Sequence, residues 1–527
     1  MSEEIVKALS AYEIANPIEQ YRFYDWNAWP LLRVIAGYLA VARQSGTGDG
    51  PEGVDLRKAI ASIPFLGAAA VSLNRRLKAL RLNRELASLR EVDAPHQDEL
   101  LAPGREVVIL TISGRRQEMG GGLYEIYADP LAECLEAMGV PTLVWERLEE
   151  RWPRCRRSAW ITRRLELELL QAPQLPPLPE PSWYADFASL AERLAGRRYR
   201  WSECEPVIRA LQRSSLVYQR WLQQVGAKAL VSVCWYDAEV MAATLAARRL
   251  GVASVDLQHG AQGIGHFAYD GWGRGITPPF ELVPDYFWCW GEEPATKVML
   301  DNPAFASQCK AVPGGNLWLS AWRSHAVAYR DARFDAVRKQ AAGKKVILFA
   351  LQHGYRYSEL VPEAVAQSPD DWFWLVRLHP ATPEGEKGII HRRLEALHPS
   401  KVEFVTATQA PLLSLMAISQ VLITGSSTCA LEALAFGLPS VTVTDEGAVV
   451  YREFIEGGVM LAAGSAEELV QRIKESETID SARCLAASRR LFASAEESEA
   501  AIRAFLDGVG IRQRADRPAP PGGGRAV

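Results

Sequence analysis

The sequence predicts an α/β protein: two Rossmann-like, doubly wound parallel-sheet domains preceded by a helical N-terminal extension. Three observations lead there. The 527 residues exceed one ordinary core and suit two or three domains. From Glu106 onward, short β-branched apolar runs alternate with helical stretches, the signature of parallel strands covered on both faces. The polar pieces fall at the ends of those runs, where doubly wound sheets place their ligands.

Residues 1–103 read as the helical extension. Within it, 26–43 sets apolar clusters around Arg33 and Arg43, and 74–90 carries six arginines and lysines among leucines. That basic stretch reads either as a helix lying on an anionic membrane surface or as an ordinary solvated face. The first Rossmann-like domain, 104–325, has expected strands at 107–112, 141–145, 229–234, 253–257 and 286–290. Its expected helices are 124–138 and 238–250. The segment 171–183 is proline-rich and reads as an extended loop. The second domain, 326–495, opens with a helical connector at 326–342. Its expected strands are 345–351, 372–378, 402–405, 420–424, 439–443 and 458–462, with helices at 466–476 and 479–492. Residues 496–527 form a helix end and a tail too poor in apolar residues to bury a core.

Composition narrows the function. Hydrophobic residues make up 48%, so a folded chain is expected, and a net charge of −4 gives no general attraction to nucleic acid. The eight cysteines form no Cys-x-x-Cys pair, so neither zinc nor a dithiol redox site is signalled, and reduced thiols in the cytoplasm are expected. The start, Met1-Ser-Glu-Glu4, lacks the basic-then-apolar order of a secretory signal. No run reaches the ~20 apolar residues of a membrane span, and the longest, 59–73, contains Pro64. Location is therefore read as cytoplasmic, with peripheral membrane contact through the basic helices as the further option. Most of the 16 tryptophans are expected in cores. No phosphate loop of the GxxxxGK[ST] kind, dinucleotide fingerprint or GxSxG elbow occurs, and Asp-x-Asp is missing, so no cofactor and no metal are expected.

The most informative stretch is 421–444: a buried strand, the turn Gly425-Ser426-Ser427-Thr428, a short helix, Gly437 and Pro439 as its stop, and a second buried strand. Such a turn offers hydroxyls and backbone N–H groups to a phosphate. Glu432, one turn on, shares roughly the face of Thr428 and is placed for a neighbouring ribose. Four other polar motifs follow apolar strands: Ser113-Gly114, Gln258-His259-Gly260, Gln352-His353-Gly354 and His379-Pro380. Arg377, two positions before His379, shares its strand face; it serves either a phosphate or a core carboxylate.

Arg377-Leu-His379-Pro380, followed some forty to fifty residues later by Ser426-Ser427, resembles the His-Pro and Ser-Ser motifs of bacterial sialyl-, polysialyl- and Kdo-transferases. The resemblance implies a GT-B fold, two Rossmann-like domains facing a cleft, and a CMP-activated sugar. It implies that His379, Ser426 and Ser427 contact the donor phosphate. The same motif pair occurs in CDP-glycerol polymerising transferases of teichoic acid synthesis. The N-terminal pieces resemble uncharacterised capsule and O-antigen biosynthesis proteins. These pieces are Gly114-Arg115, Asp129-Pro130, Leu257-Gln-His-Gly260 with His266 and Tyr269, Pro284-Asp-Tyr-Phe287 and Trp290-Gly291. The likeness spans about 105–475. The family's paired acidic motif before glycine has no secure counterpart: Asp445-Glu446-Gly447 follows the Ser-Ser helix, and Tyr269-Asp270-Gly271 lacks the pair.

The function so implied is inverting, metal-independent transfer of a sugar from a nucleotide donor to a capsule or lipopolysaccharide glycan, or to its lipid-linked acceptor. The donor residues are Arg377, His379, Gly425, Ser426, Ser427, Thr428 and Glu432. The base comes from His259, with an imidazole that titrates near neutrality, or from Asp270 beside a glycine-rich segment. Acceptor or loop contacts fall to Arg115, Glu118, Gly121, His266 and His353. Asp129, before proline, reads as a helix or turn determinant. The alternatives are a CDP-glycerol-type phosphotransferase, a UDP-sugar 2-epimerase of the same fold and a non-catalytic membrane scaffold.

Overall fold

The computed structural model describes residues 2–44, 81–84, 100–119, 122–147, 158–260, 262, 265–272, 280–300, 302–324, 328–351, 360–379, 382, 384–397 and 401–512. Outside them lie the expectations for 59–73, for most of 74–90, for Gly121 with Gly120, for Gln352-His353-Gly354, for Pro380 and for the tail beyond 512. The chain divides into two compact units. Unit 1 takes in Met1–Arg116, Glu125–Gly315 and Glu496–Val527; unit 2 takes in Gln117–Tyr124 and Asn316–Ala495.

Unit 1 is built on seven strands, every pair parallel. In spatial order they are Lys310–Pro313, Tyr286–Cys289, Ala253–Leu257, Ala229–Val233, Val107–Ile112, Thr142–Arg147 and Ser158–Trp160. The first strand in sequence is Val107–Ile112. The next two pair outward on one side and the remaining four on the other, so the strand order reverses beside it. Unit 2 repeats the plan with six parallel strands: Val402–Glu403, Trp372–Arg377, Lys345–Ala350, Val421–Thr424, Ser440–Thr442 and Met460–Ala462. Its reversal lies between Lys345–Ala350 and Val421–Thr424. Unit 2 thus has the 3-2-1-4-5-6 order of dinucleotide-binding folds, and unit 1 the same order with a seventh strand; in such sheets ligands bind at the carboxyl ends beside the reversal. The expected class, two Rossmann-like doubly wound sheets with helices at the N-terminus, is the one found.

The central strands are buried on both faces, which is why their sequences read as unbroken apolar runs. The N-terminal helices Ser2–Ala15 and Trp29–Gln44 contribute Ile5, Leu9, Trp29, Leu32 and Ile35 to the core of unit 1. Their tie to it is ionic as well as apolar. Arg33, fully buried, pairs with buried Glu13 and donates Nε–H to Phe267 O at 2.8 Å; its guanidinium lies 4.7 Å from the Trp272 ring centre. Trp29 Nε1–H donates to the same Glu13 carboxylate at 2.7 Å. Trp26, Trp145, Trp221, Trp235 and Trp272 are fully buried here, as expected of most tryptophans.

The expected helix over 124–138 is shorter than its pattern. Leu123–Glu125 is a strand, and the helix runs only over Ala128–Ala137. Glu125 causes the break. Its buried carboxylate accepts from Thr111 Oγ1 at 2.9 Å and from the backbone N–H groups of Tyr127 and Ala128, capping the helix from the preceding strand. Asp129, in the first helical turn, accepts from Glu125 N–H at 2.9 Å and acts as the turn determinant expected. Residues 172–181 form the irregular proline-rich connection. The edge strands Ser158–Trp160 and Lys310–Pro313 had no sequence signal. Among the described residues, no helix is long and apolar enough to cross a membrane.

Candidate functional site

In unit 1, the chain leaves the two strands beside the reversal as a 3₁₀ turn, Ser113–Arg115, and as Cys234-Trp235-Tyr236. Cys234 has φ +72°, a left-handed conformation that costs a non-glycine residue about 1 kcal/mol or more and is concentrated at ligand sites. Arg115 belongs to this end of the sheet. Its guanidinium lies 5.6 Å from the Tyr127 ring centre, and its buried Nη1 has no hydrogen-bond partner. No carboxylate among the described residues is within ion-pair distance of it. Other buried arginines of the unit differ: Arg33 has Glu13, Arg116 has Glu146, and Arg147 has Asp237 at 2.6 Å and Glu239 at 2.9 Å.

His259 follows the next strand. Its Nδ1 lies 3.1 Å from Leu257 O, which can only accept, so Nδ1 carries the proton. Nε2 then accepts from the Tyr236 hydroxyl at 3.2 Å. Burial holds its pKa well below the usual histidine value, and the Arg115 charge pushes the same way, so the imidazole is neutral at pH 7. His266, its Nδ1 accepting from Ala268 N–H at 3.2 Å, is pushed by burial down to about 4. Both imidazoles lie next to the Tyr236 ring, at 5.9 and 5.0 Å between ring centres. Asp270 is committed elsewhere: its carboxylate accepts from Gly265 N–H at 2.6 Å, closing the turn that carries His266.

Sequence reasoning missed Asp256 and Tyr236. Asp256 is fully buried near the end of its strand, accepting from Tyr269 Oη at 2.6 Å and from Trp235 N–H at 3.0 Å. A carboxylate inside the run Ala253-Ser-Val-Asp-Leu257 was the available signal. Burial raises its pKa from 3.8 to about 7, against the pull of those hydrogen bonds. The folded state therefore binds a proton between about pH 4 and 7 that the unfolded chain has released, and stability falls as pH rises through that window. Asp256→Asn is expected to lessen the drop in urea midpoint between pH 5 and pH 8. An unchanged drop would mean the carboxyl titrates as it does in water.

In unit 2, Arg377 ends its strand beside Lys345–Ala350 and is buried. Its Nη1 donates to Leu378 O at 3.2 Å, while its Nε is buried without a partner. No described carboxylate pairs with it, so the core-carboxylate alternative is not met among the described residues. Burial pulls its pKa down to about 10, opposed by the neighbouring Cys429. His379 is half-buried, two residues on. Gly425-Ser426-Ser427 follows Val421–Thr424 and is tied from two sides: Gly425 O accepts from Thr442 Oγ1 at 2.8 Å, and Ser427 O accepts from Tyr451 Oη at 2.5 Å. Ser427 Oγ accepts weakly from Cys429 N–H at 3.5 Å, and Thr428 makes no side-chain cap to the helix Cys429–Leu434. Glu432, within that helix, is raised by burial to about 7, an Asn316 hydrogen bond opposing. It is thus part protonated near neutrality and can donate as well as accept. Glu118 is exposed in unit 2; Gly121 and His353 lie outside the described residues.

Gly447 keeps the Ser-Ser turn in place. A Cβ there would come 1.9 Å from Thr442 Oγ1 and 2.5 Å from Gly425 O. Gly447→Ala is expected to cost about 1–3 kcal/mol by overpacking and to displace the turn. A melting temperature equal to wild type would refute this.

No protein-family model and no curated protein sequence matches the chain. Solved structures do. A UDP-N-acetylglucosamine 2-epimerase is similar at 15% identity and TM-score 0.48, over 80% of this chain and 100% of that one. The UDP-GlcNAc 2-epimerase of Neisseria meningitidis, bound to UDP-GlcNAc, is similar at 12% identity and TM-score 0.47, over 76% and 100%. A glycotransferase of kitacinnamycin is similar at 12% and 0.43, over 77% and 99%. At these identities each activity stays with the protein that has it.

Proposed function

We propose that the protein is a nucleotide-sugar enzyme of the GT-B class, an inverting glycosyltransferase that needs no metal. It moves a sugar, with a CMP-linked acidic sugar the favoured donor, to a surface glycan or lipid-linked acceptor. The observation that carries this reading is Arg377: a buried cation at the carboxyl end of a sheet, beside the strand-order reversal, with an unpartnered Nε and no described carboxylate. A bound phosphate supplies the missing counter-charge. In transfer, negative charge grows on the departing phosphate, and a fixed buried cation stabilises that change more than a solvated one. His379, Gly425, Ser426, Ser427 and Thr428 complete the grip, and Glu432 bonds a ribose hydroxyl. His259 takes the acceptor proton through Nε2, once the acceptor hydroxyl has displaced the Tyr236 hydroxyl that Nε2 now accepts from; the Nδ1–Leu257 hydrogen bond fixes the tautomer. Asp270, engaged with Gly265, is the weaker candidate for base.

One observation favours a second reading. Two neutral imidazoles next to Tyr236 are suited to moving a proton on and off a sugar, as a nucleotide-sugar epimerase does without an acceptor. Titration of the full chain with CMP, UDP and GDP, followed by thermal unfolding, tests what both readings share. A true ligand at 100 times its Kd stabilises by about 2.7 kcal/mol. If no nucleotide binds, both readings end, and a scaffold role remains. Incubating the bound nucleotide's sugar conjugate in heavy water without acceptor then separates them. Deuterium in the sugar ring means epimerase; none, with transfer on adding acceptor, means transferase.

A further inference from the structure

We infer that the carboxyl end of the unit 1 sheet holds an oxyanion of its own, the carboxylate or phosphate of an acidic saccharide, on the Arg115 guanidinium. The inference deepens the reading of unit 1 as the acceptor half and rests on it only for the word acceptor.

Its basis is the contrast among buried arginines. Arg33, Arg116 and Arg147 each have carboxylates within ion-pair distance, as burial of a charge requires. Arg115 has none among the described residues, and its buried Nη1 has no acceptor at all. The groups around it do not replace one. Tyr127 offers its ring face, at 5.6 Å. Glu125 attracts the charge from beyond ion-pair distance, and its oxygens are held by Thr111 and by two backbone N–H groups. Cys234 and Tyr236 are neutral at pH 7, since burial raises both. A guanidinium so placed is a two-pronged donor for a carboxylate or phosphate.

Two further observations bear on the rest of the ligand. Arg115 and Cys234 lie at the ends of the two strands where the sheet's order reverses, and Cys234 holds a left-handed backbone there. The rings of Tyr127, Tyr236, His259 and His266 supply flat faces and hydrogen-bonding edges, the pairing that sugar rings need.

The test uses the full chain and isothermal titration with glucuronate, glucose 1-phosphate and glucose, on wild type, Arg115→Met and Arg115→Lys. Wild type should bind one of the two acidic sugars; glucuronate marks a carboxylate site and the sugar phosphate a phosphate site. Arg115→Met should weaken that binding at least tenfold, Arg115→Lys less, and glucose should not distinguish the three. Without ligand, Arg115→Met should melt close to wild type, because the charge it removes has no ion-pair partner and the attraction of Glu125 is set against the cost of burial. The inference is overturned if neither acidic sugar binds wild type, if Arg115→Met binds as wild type does, or if Arg115→Met melts well below it, which would make the charge structural. CMP and UDP affinity should be the same in Arg115→Met. The nucleotide reading fails when no nucleotide binds wild type, and this one fails when acidic sugars ignore Arg115.

Discussion

Arg377→Met should cut kcat/KM by about 10²–10³-fold, the usual cost of removing one fixed group that stabilises developing charge. It should do so without lowering the melting temperature. The two halves of this expectation come from the same fact. Burial depresses the Arg377 pKa to about 10 and no described carboxylate compensates, so the charge is a burden on the empty folded protein. Methionine keeps most of the volume and removes the burden, giving up one 3.2 Å bond to Leu378 O. Nucleotide affinity should fall in parallel with turnover. A variant that binds nucleotide normally removes Arg377 from the donor site, and one that unfolds makes it a structural cation.

Glu13→Ala should destabilise unit 1 by about 3–5 kcal/mol, because it strands the Arg33 guanidinium in a fully buried position. It also deprives Trp29 Nε1–H of its acceptor. The double variant Glu13→Leu with Arg33→Met should recover most of the loss, since an apolar pair of similar size has no charge to desolvate. Arg33 also bonds Phe267 O, within the turn that carries His266, so Glu13→Ala should speed hydrogen exchange around residues 265–272. Urea unfolding of the two variants checks the energies. Equal losses in both would show that packing, not charge, is at stake.

The sheets were legible because parallel strands buried on both faces are mostly apolar, rich in β-branched or aromatic residues; Val107–Ile112 and Trp372–Arg377 announce themselves. The edge strands Ser158–Trp160 and Lys310–Pro313 did not, since pairing on one side leaves their composition free. The helix start at Ala128 was hidden by Glu125, whose capping role depends on Thr111 from another strand. The strand-end rule located Arg115, His259, Arg377 and Ser426. It passed over Cys234-Trp235-Tyr236, whose character lies in a backbone angle no residue name reveals. It also stopped at Asp270, an acid next to glycines, and did not weigh Asp256, which sits inside an apolar strand rather than after one.

The helix Ala495–Gly508 belongs almost wholly to unit 1 although all of unit 2's long segment precedes it in the chain. Ile502, Phe505 and Leu506 line one cavity with Val107, Val231 and Trp288 of the first sheet and with Leu131 of the helix Ala128–Ala137. During synthesis, the part of the sheet under this helix stays uncovered until residue 508 has emerged, while the later segment already has its own strands in hand. The half that emerges first is therefore finished last. A premature stop near residue 495 would damage the beginning of the protein, leaving a sticky nascent surface for chaperones to shield.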